Sequence, residues 1–252
     1  MAYTDQGEGE AVLLIHGFCE TKDIWNGLMP GLTAKYRVIA VDSLGFGDSA
    51  PEAGFSFSMR SQAEAILLLL KELAISRCAW IGHSMGGYIS LEAAGMQPDI
   101  VAGLLLLHST ASADTPERKD NRNKTIEVVK RTPELFIREF YYNLFAPGRK
   151  AEFADEIETF KKEAANIDPA YIIGTLEGLR DRPGYIDVLN NLSVPVFYII
   201  GRHDQILPAD ALVEQATAAG AEYAVLENSG HMGMLEEPGA TEAGVMRALG
   251  AG

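Results

Sequence analysis

The segment Gly82-His83-Ser84-Met85-Gly86-Gly87 sets a serine among glycines, directly after the apolar run Cys78-Ala79-Trp80-Ile81 and before a helical pattern over residues 88–97. A Gly-x-Ser-x-Gly turn at a strand-to-helix junction is so tight that the serine backbone is strained. Its hydroxyl then stands exposed at the strand end. The first amides of the following helix point to the same place, where N–H donors and the helix dipole stabilise a developing oxyanion. That chemistry is acyl transfer. The competing reading is structural, with Gly86 and Gly87 allowing close helix packing and Ser84 capping the first turn.

Two later segments favour the chemical reading. The apolar run over residues 195–201 leads into Arg202-His203-Asp204, and the run over residues 222–226 leads into Ser229-Gly230-His231-Met232. A carboxylate beyond one strand and a histidine beyond the next complete the chain order Ser84, Asp204, His231, a catalytic triad. In such a triad His231 takes the Ser84 proton as the serine attacks a carbonyl, then returns it to the leaving group. Asp204 fixes the imidazole tautomer and stabilises the imidazolium. Water hydrolyses the acyl-serine with the same base. Asp114, which follows a different apolar run, is the alternative acid. His16 and His83 read as local hydrogen-bonding residues, and His203 must point away if Asp204 points in. Cys19 has no His or Asp partner to make it a second nucleophile, and both cysteines are expected to be reduced. No pair of His or carboxylate residues has metal-ligand spacing, so neither a metal nor a cofactor is expected.

These residues need a scaffold of strand ends. Short apolar runs over residues 12–15 and 36–41, ending at His16-Gly17 and at Asp42, suit parallel strands buried on both faces. Between them residues 24–35 are long enough for a crossover helix, which Pro30-Gly31 should break or bend. Residues 59–73 carry Ala63, Ile66, Leu67, Leu70 and Leu73 at helical spacing, and residues 101–107 form another strand. Strands alternating with helices imply a mostly parallel sheet covered on both faces. From about residue 109 the alternation stops in favour of helical patterns. This segment follows a strand's carboxyl end, so it should lie over the catalytic edge as a lid. The expected division is a core of residues 1–109 and 182–252, interrupted by a helical lid over residues 110–181.

A chain of 252 residues suits one domain with such an insertion. Its formal charge of −14 repels nucleic-acid backbones and anionic lipid surfaces unless a local basic patch intervenes. The Arg118 to Lys124 stretch is diluted by Asp120, Asn121 and Asn123 and reads as a solvated helix face. No apolar run approaches a membrane span, and the first residues carry neither a basic leader nor an apolar signal core, so a cytoplasmic protein is expected.

On these motifs the chain resembles the α/β-hydrolase superfamily over residues 7–249, and looks most like its small lidded esterases. His16-Gly17-Phe18 is similar to the family's His-Gly-x segment. The resemblance implies that the Phe18 and Met85 amides form the oxyanion hole. Asp42-Ser43-Leu44-Gly45-Phe46-Gly47-Asp48-Ser49 matches the family's Asp-x-x-Gly-x-Gly-x-Ser turn, a structural loop. Because only Met1 to Asp5 precedes Gly7-x-Gly9, the first edge strand of the usual eight is expected to be absent. The implied activity is a cofactor-free serine hydrolase acting on carboxylic esters. Thioester, enol-lactone or carbon–carbon bond hydrolysis could run on the same triad. A serine at the elbow argues against the dehalogenases and epoxide hydrolases of this superfamily, which use aspartate. Some members serve instead as small-ligand receptors with residual hydrolase activity.

The substrate reading rests on residues 135–145. Phe136, Phe140 and Leu144 fall in one helical row and Ile137, Tyr141 and Phe145 in a second, giving a broad apolar face. Most of it should pack the lid onto the core. The remainder should face the pocket, with Phe18, Trp25 and Met232 opposite; Trp25, Phe136, Phe140, Tyr141 and Met232 are thus the expected pocket residues. Without a fixed cation such walls favour small or medium neutral esters as the partner.

Overall fold

A computed structural model describes residues 1–250 of the chain. Seven strands form one sheet: β1 (Tyr3–Gln6), β2 (Ala11–Ile15), β3 (Arg37–Val41), β4 (Cys78–His83), β5 (Val101–Leu107), β6 (Val196–Gly201) and β7 (Glu222–Leu226). Their spatial order is β1-β3-β2-β4-β5-β6-β7. Only β1 runs antiparallel, against β3. The seven-stranded sheet with a short antiparallel edge agrees with the expected loss of an outermost strand. From Val12 to Ile15 and from Val38 to Val41 every residue is buried, as the continuous apolar runs require of strands covered on both faces.

Helices cover the sheet: α1 (Met29–Thr33), α2 (Met59–Glu72), α3 (Met85–Met96), α4 (Pro116–Arg131), α5 (Pro133–Tyr142), α6 (Ala154–Ala164), α7 (Pro169–Asp181), α8 (Ile186–Asn191), α9 (Ala209–Ala218), α10 (Gly233–Glu236) and α11 (Pro238–Ala248). The crossover expected over residues 24–35 is in fact two pieces, a short 3₁₀ helix (Lys22–Trp25) and α1. Pro30 lies in the first turn of α1 and so starts a helix instead of bending one, because its missing N–H has no partner there in any case. In α2, Ser58 caps the first turn through the Ser61 amide, and Ala63, Ile66, Leu67 and Leu70 are buried. No described helix is long and apolar enough to cross a membrane.

The four helices α4 to α7 form an insertion between β5 and β6, with α4 packed on α7 and α5 packed on both α4 and α6. The next helix, α8, returns to the core and packs on α3. Because β4, β5, β6 and β7 are parallel neighbours, their carboxyl ends lie along one edge of the sheet. The loops carrying Ser84, Asp204 and His231 all leave from that edge.

Candidate active site

Ser84 ends β4 and begins α3 with φ 49° and ψ −110°, a conformation that costs a non-glycine residue on the order of 1–3 kcal/mol. The surroundings impose it. A side chain at Gly82 would strike the backbone of Gly86 and Gly87, and one at Gly86 would strike the Ile15 carbonyl. The Ser84 amide donates to the Leu107 carbonyl at 2.9 Å, and Ser109 Oγ donates to the Ser84 carbonyl at 2.7 Å. The strand beside the elbow therefore clamps it from both sides of the serine.

The loop after β6 turns Asp204 inward and leaves His203 exposed. Asp204 Oδ2 accepts from His231 Nδ1 at 2.6 Å, while Oδ1 accepts from the Ile206 and Leu207 amides at 2.7 and 3.0 Å. Burial opposes the Asp204 charge, but the nearby His231 and these hydrogen bonds outweigh it and hold the carboxyl below its usual range. His108, absent from the sequence reading, lies 4.0 Å from the same carboxylate. Burial holds its imidazole well below the ordinary histidine range, so it stays neutral and leaves the Asp204 charge to His231. Asp114 is committed elsewhere, in ion pairs with Arg118 at 3.3 Å, with Arg182 at 2.8 Å and with Arg122.

A buried pair, Glu20 and His83, ties three loops together. Glu20 Oε2 accepts from the Gly17 amide at 2.7 Å and from His83 Nδ1 at 2.9 Å, and His83 Nε2 donates to the His231 carbonyl at 2.9 Å. The carbonyl of His231 can only accept, so His83 Nε2 carries a proton, and the Glu20 carboxylate beside Nδ1 favours the charged form of the ring. Burial disfavours that charge, yet Glu20 overcomes it and raises the His83 pKa above its ordinary value. Burial likewise raises the Glu20 pKa, and His83 more than reverses it. His83 was expected to bond locally; instead both of its partners come from distant loops, and it spans the sheet edge. His16 is local on one side only: Nδ1 donates to the Gly17 carbonyl at 2.7 Å, while Nε2 accepts from the amide of the distant Ser43 at 2.9 Å. The sequence signal for Glu20 was faint, a carboxylate three residues past a loop glycine, from which it can reach back to the amide.

Ser84, His231, Phe18 and Met85 line one cavity of about 50 Å³. Among the described residues no backbone carbonyl accepts from the Phe18 or Met85 amide. A much larger hollow, about 810 Å³ beside α2, contains none of these residues. Phe140 lines the cavity, together with Glu20, Tyr88, Leu144, Leu179 and Ile206. Trp25, Phe136, Tyr141 and Met232 do not line it. Trp25 and Met232 are fully enclosed in the core, Tyr141 donates its hydroxyl to the Cys19 carbonyl, and Phe136 stacks behind Phe140 with ring centroids 5.3 Å apart. Their apolar area is packed inside the protein and does not line this cavity. The basic stretch departs further from expectation. Arg118 and Arg122, one turn apart on α4, line the cavity itself. Cys19 is buried, and burial pushes its thiol well above the usual range, which leaves it unreactive.

The model of the α/β hydrolase fold family matches residues 10–238, and the chain belongs to that family. Among solved structures it is similar to a thermophilic esterase from Thermogutta terrifontis solved with malate bound. The TM-score is 0.91 at 28% identity, covering 98% of this chain and 92% of that one. Among curated proteins it is similar to a pimeloyl-acyl-carrier-protein methyl ester esterase of Methylococcus capsulatus. They share 41% identity over 105 residues, which is 41% of this chain and 39% of the relative. A karrikin insensitive receptor of Petunia hybrida is 34% identical over 109 residues, again 41% of this chain and 39% of the relative. Over three further curated relatives the chain spans 28% to 60% of their length.

Proposed function

We propose that this protein is a serine hydrolase that cleaves small to medium carboxylic esters through an acyl-Ser84 intermediate. His231 acts as general base and acid, Asp204 orients and charges it favourably, and the Phe18 and Met85 amides receive the oxyanion. Residues 110–181 serve as the lid of this site. The observation that carries the reading is the 2.6 Å contact between His231 Nδ1 and Asp204, with His231 and the strained Ser84 elbow on the wall of one cavity. Similarity to an esterase at 28% identity over nearly the whole chain adds support. The expectation of neutral substrates assumed a wall without a fixed cation; Arg118 and Arg122 remove that premise.

Thioesters, enol-lactones and activated carbon–carbon bonds fit the same machinery. A receptor role rests on one observation, the partial similarity to the Petunia receptor. Turnover separates these readings. A panel of oxygen esters, thioesters and lactones should give multiple turnovers on at least one ester, and Ser84→Ala should lower its kcat by about a millionfold. Activity retained by Ser84→Ala removes the serine from the mechanism, and binding with less than one turnover favours the receptor.

A further inference from the structure

Three guanidiniums converge on one carboxylate at the edge of the candidate active site. Arg182 is buried, pairs with Asp114 at 2.8 Å, donates to the Leu179 and Ser112 carbonyls and lies over the Tyr88 ring at 4.0 Å. One guanidinium suffices to balance the single charge of Asp114, so three leave a surplus. Arg118 pairs with the same carboxylate at 3.3 Å and donates from Nη1 to the Ile206 carbonyl at 3.1 Å. Arg122 gives only its Nε to Asp114, and among the described residues its two Nη groups have no protein acceptor.

A purely structural cluster would place its surplus charge in solvent. Here the surplus lies in the wall that also contains Ser84 and His231, and the Arg122 side chain is only 17% exposed. The other acids of the site do not cancel it. Glu20 is taken up by His83 and the Gly17 amide, Asp204 is engaged by His231, and Asp114 is shared among three arginines. Arginine keeps its charge at every pH the fold survives, and its planar fork suits a carboxylate. Tyr88, Phe140 and Leu179 line the same cavity and restrict water there, which strengthens a charge-assisted hydrogen bond.

We propose that Arg122, assisted by Arg118, forms an anion subsite, and that the preferred substrates are esters bearing a free carboxylate a short chain away from the scissile carbonyl. This deepens the hydrolase reading and rests on it. Asp114 and Arg182 are positioning residues, holding the two guanidiniums toward the cavity. The overall charge of −14 makes a local device necessary, since an anion meets general repulsion from the rest of the surface.

The test compares monomethyl succinate and monomethyl adipate with the corresponding neutral methyl esters that carry an isopropyl group in place of the carboxylate. The wild-type protein should favour the anionic ester at least about tenfold in kcat/KM. Arg122→Gln should reduce that preference about 10–100-fold, the range of a charge-assisted hydrogen bond, mostly through KM. Arg122→Lys, which keeps the charge and guards against a folding artefact, should restore part of it, and added salt should raise KM for the anionic ester alone. Calorimetric binding of monomethyl adipate to Ser84→Ala, weakened by the further Arg122→Gln change, reports the subsite without turnover. Failure of all ester turnover with that binding intact would sink the hydrolase reading and support the subsite. Equal preference for the neutral ester, or a preference and binding unchanged in Arg122→Gln, overturns the subsite and leaves the hydrolase reading standing.

Discussion

The strand-end edge of the sheet and the helical insertion meet across one cavity, but they hold their residues in different ways. On the sheet edge the backbone does the positioning: Ser84 is pinned at φ 49°, and two amides and His231 fix both oxygens of Asp204. On the insertion, Arg118, Arg122 and Phe140 are helix side chains, which can change without altering the backbone beneath them. The two regions touch at the histidine loop. The His231 amide donates to the Leu144 carbonyl at 2.7 Å, while Glu236 accepts from the Ala146 and Gly230 amides at 2.8 and 2.7 Å. On the proposed function, the difference assigns reaction type to the edge and substrate choice to the insertion.

Substitutions at the two acids sharpen this comparison most. Asp204→Asn should lower kcat about ten-thousandfold on every ester, since it leaves His231 in the wrong tautomer. Asp114→Asn should change kcat less than tenfold and instead alter the preference between anionic and neutral esters. Steady-state kinetics on both variants checks it, and equal losses in kcat would break the division.

A smaller effect is expected at Glu20, which holds the loop of Gly17 and Phe18 through the Gly17 amide and the histidine loop through His83. Glu20→Gln removes a charged acceptor from two donors, so kcat should fall about 10–100-fold with KM nearly constant. A rise in KM with kcat unchanged would place Glu20 in ground-state binding instead. On the insertion side, Phe140→Ala should raise KM for longer acyl chains by about tenfold and change kcat less, a contrast that a chain-length series of esters measures.

The weakest expected contrast is in pH stability. The folded pKa of His83 is raised, so its stabilising contribution is complete below the ordinary value of 6.5 and is lost as pH rises through the folded value. For Asp114, burial raises the pKa, but the Arg122 hydrogen bond and the arginine charges bring it below 3.8. Its contribution is therefore present above 3.8 and is lost as pH falls through the lowered value. Alkaline melting should thus report the sheet edge, and Asp114→Asn should flatten only the acid limb. The scale is a few degrees in Tm, about that of one kcal/mol in a domain of this size. An alkaline limb flattened by Asp114→Asn would contradict the assignment.

How much was legible in the sequence follows from the same division. Ser84, Asp204 and His231 each follow a short apolar run, and a buried strand ending in a turn leaves few places for its next residues to go. Asp114 also follows such a run, and only the three arginines around it show that its carboxylate is engaged away from His231. Glu20 and His108 were missed because their partners come from distant loops. On the insertion, an apolar face cannot say which residues line a cavity and which touch core: Phe140 lines the cavity beside Ser84, and Phe136 and Tyr141 do not. The polarity of α4 was misread for the converse reason: a hydrophilic face looks the same whether it meets bulk water or a catalytic cavity.

The most direct test of the central claim is to treat the protein with a fluorophosphonate, measure its intact mass and map the adduct by peptide sequencing. The account predicts one adduct per chain, on Ser84, absent from Ser84→Ala and strongly slowed in His231→Ala. An adduct on Cys19 or on another serine, or full ester turnover with Ser84 unmodified, would contradict it.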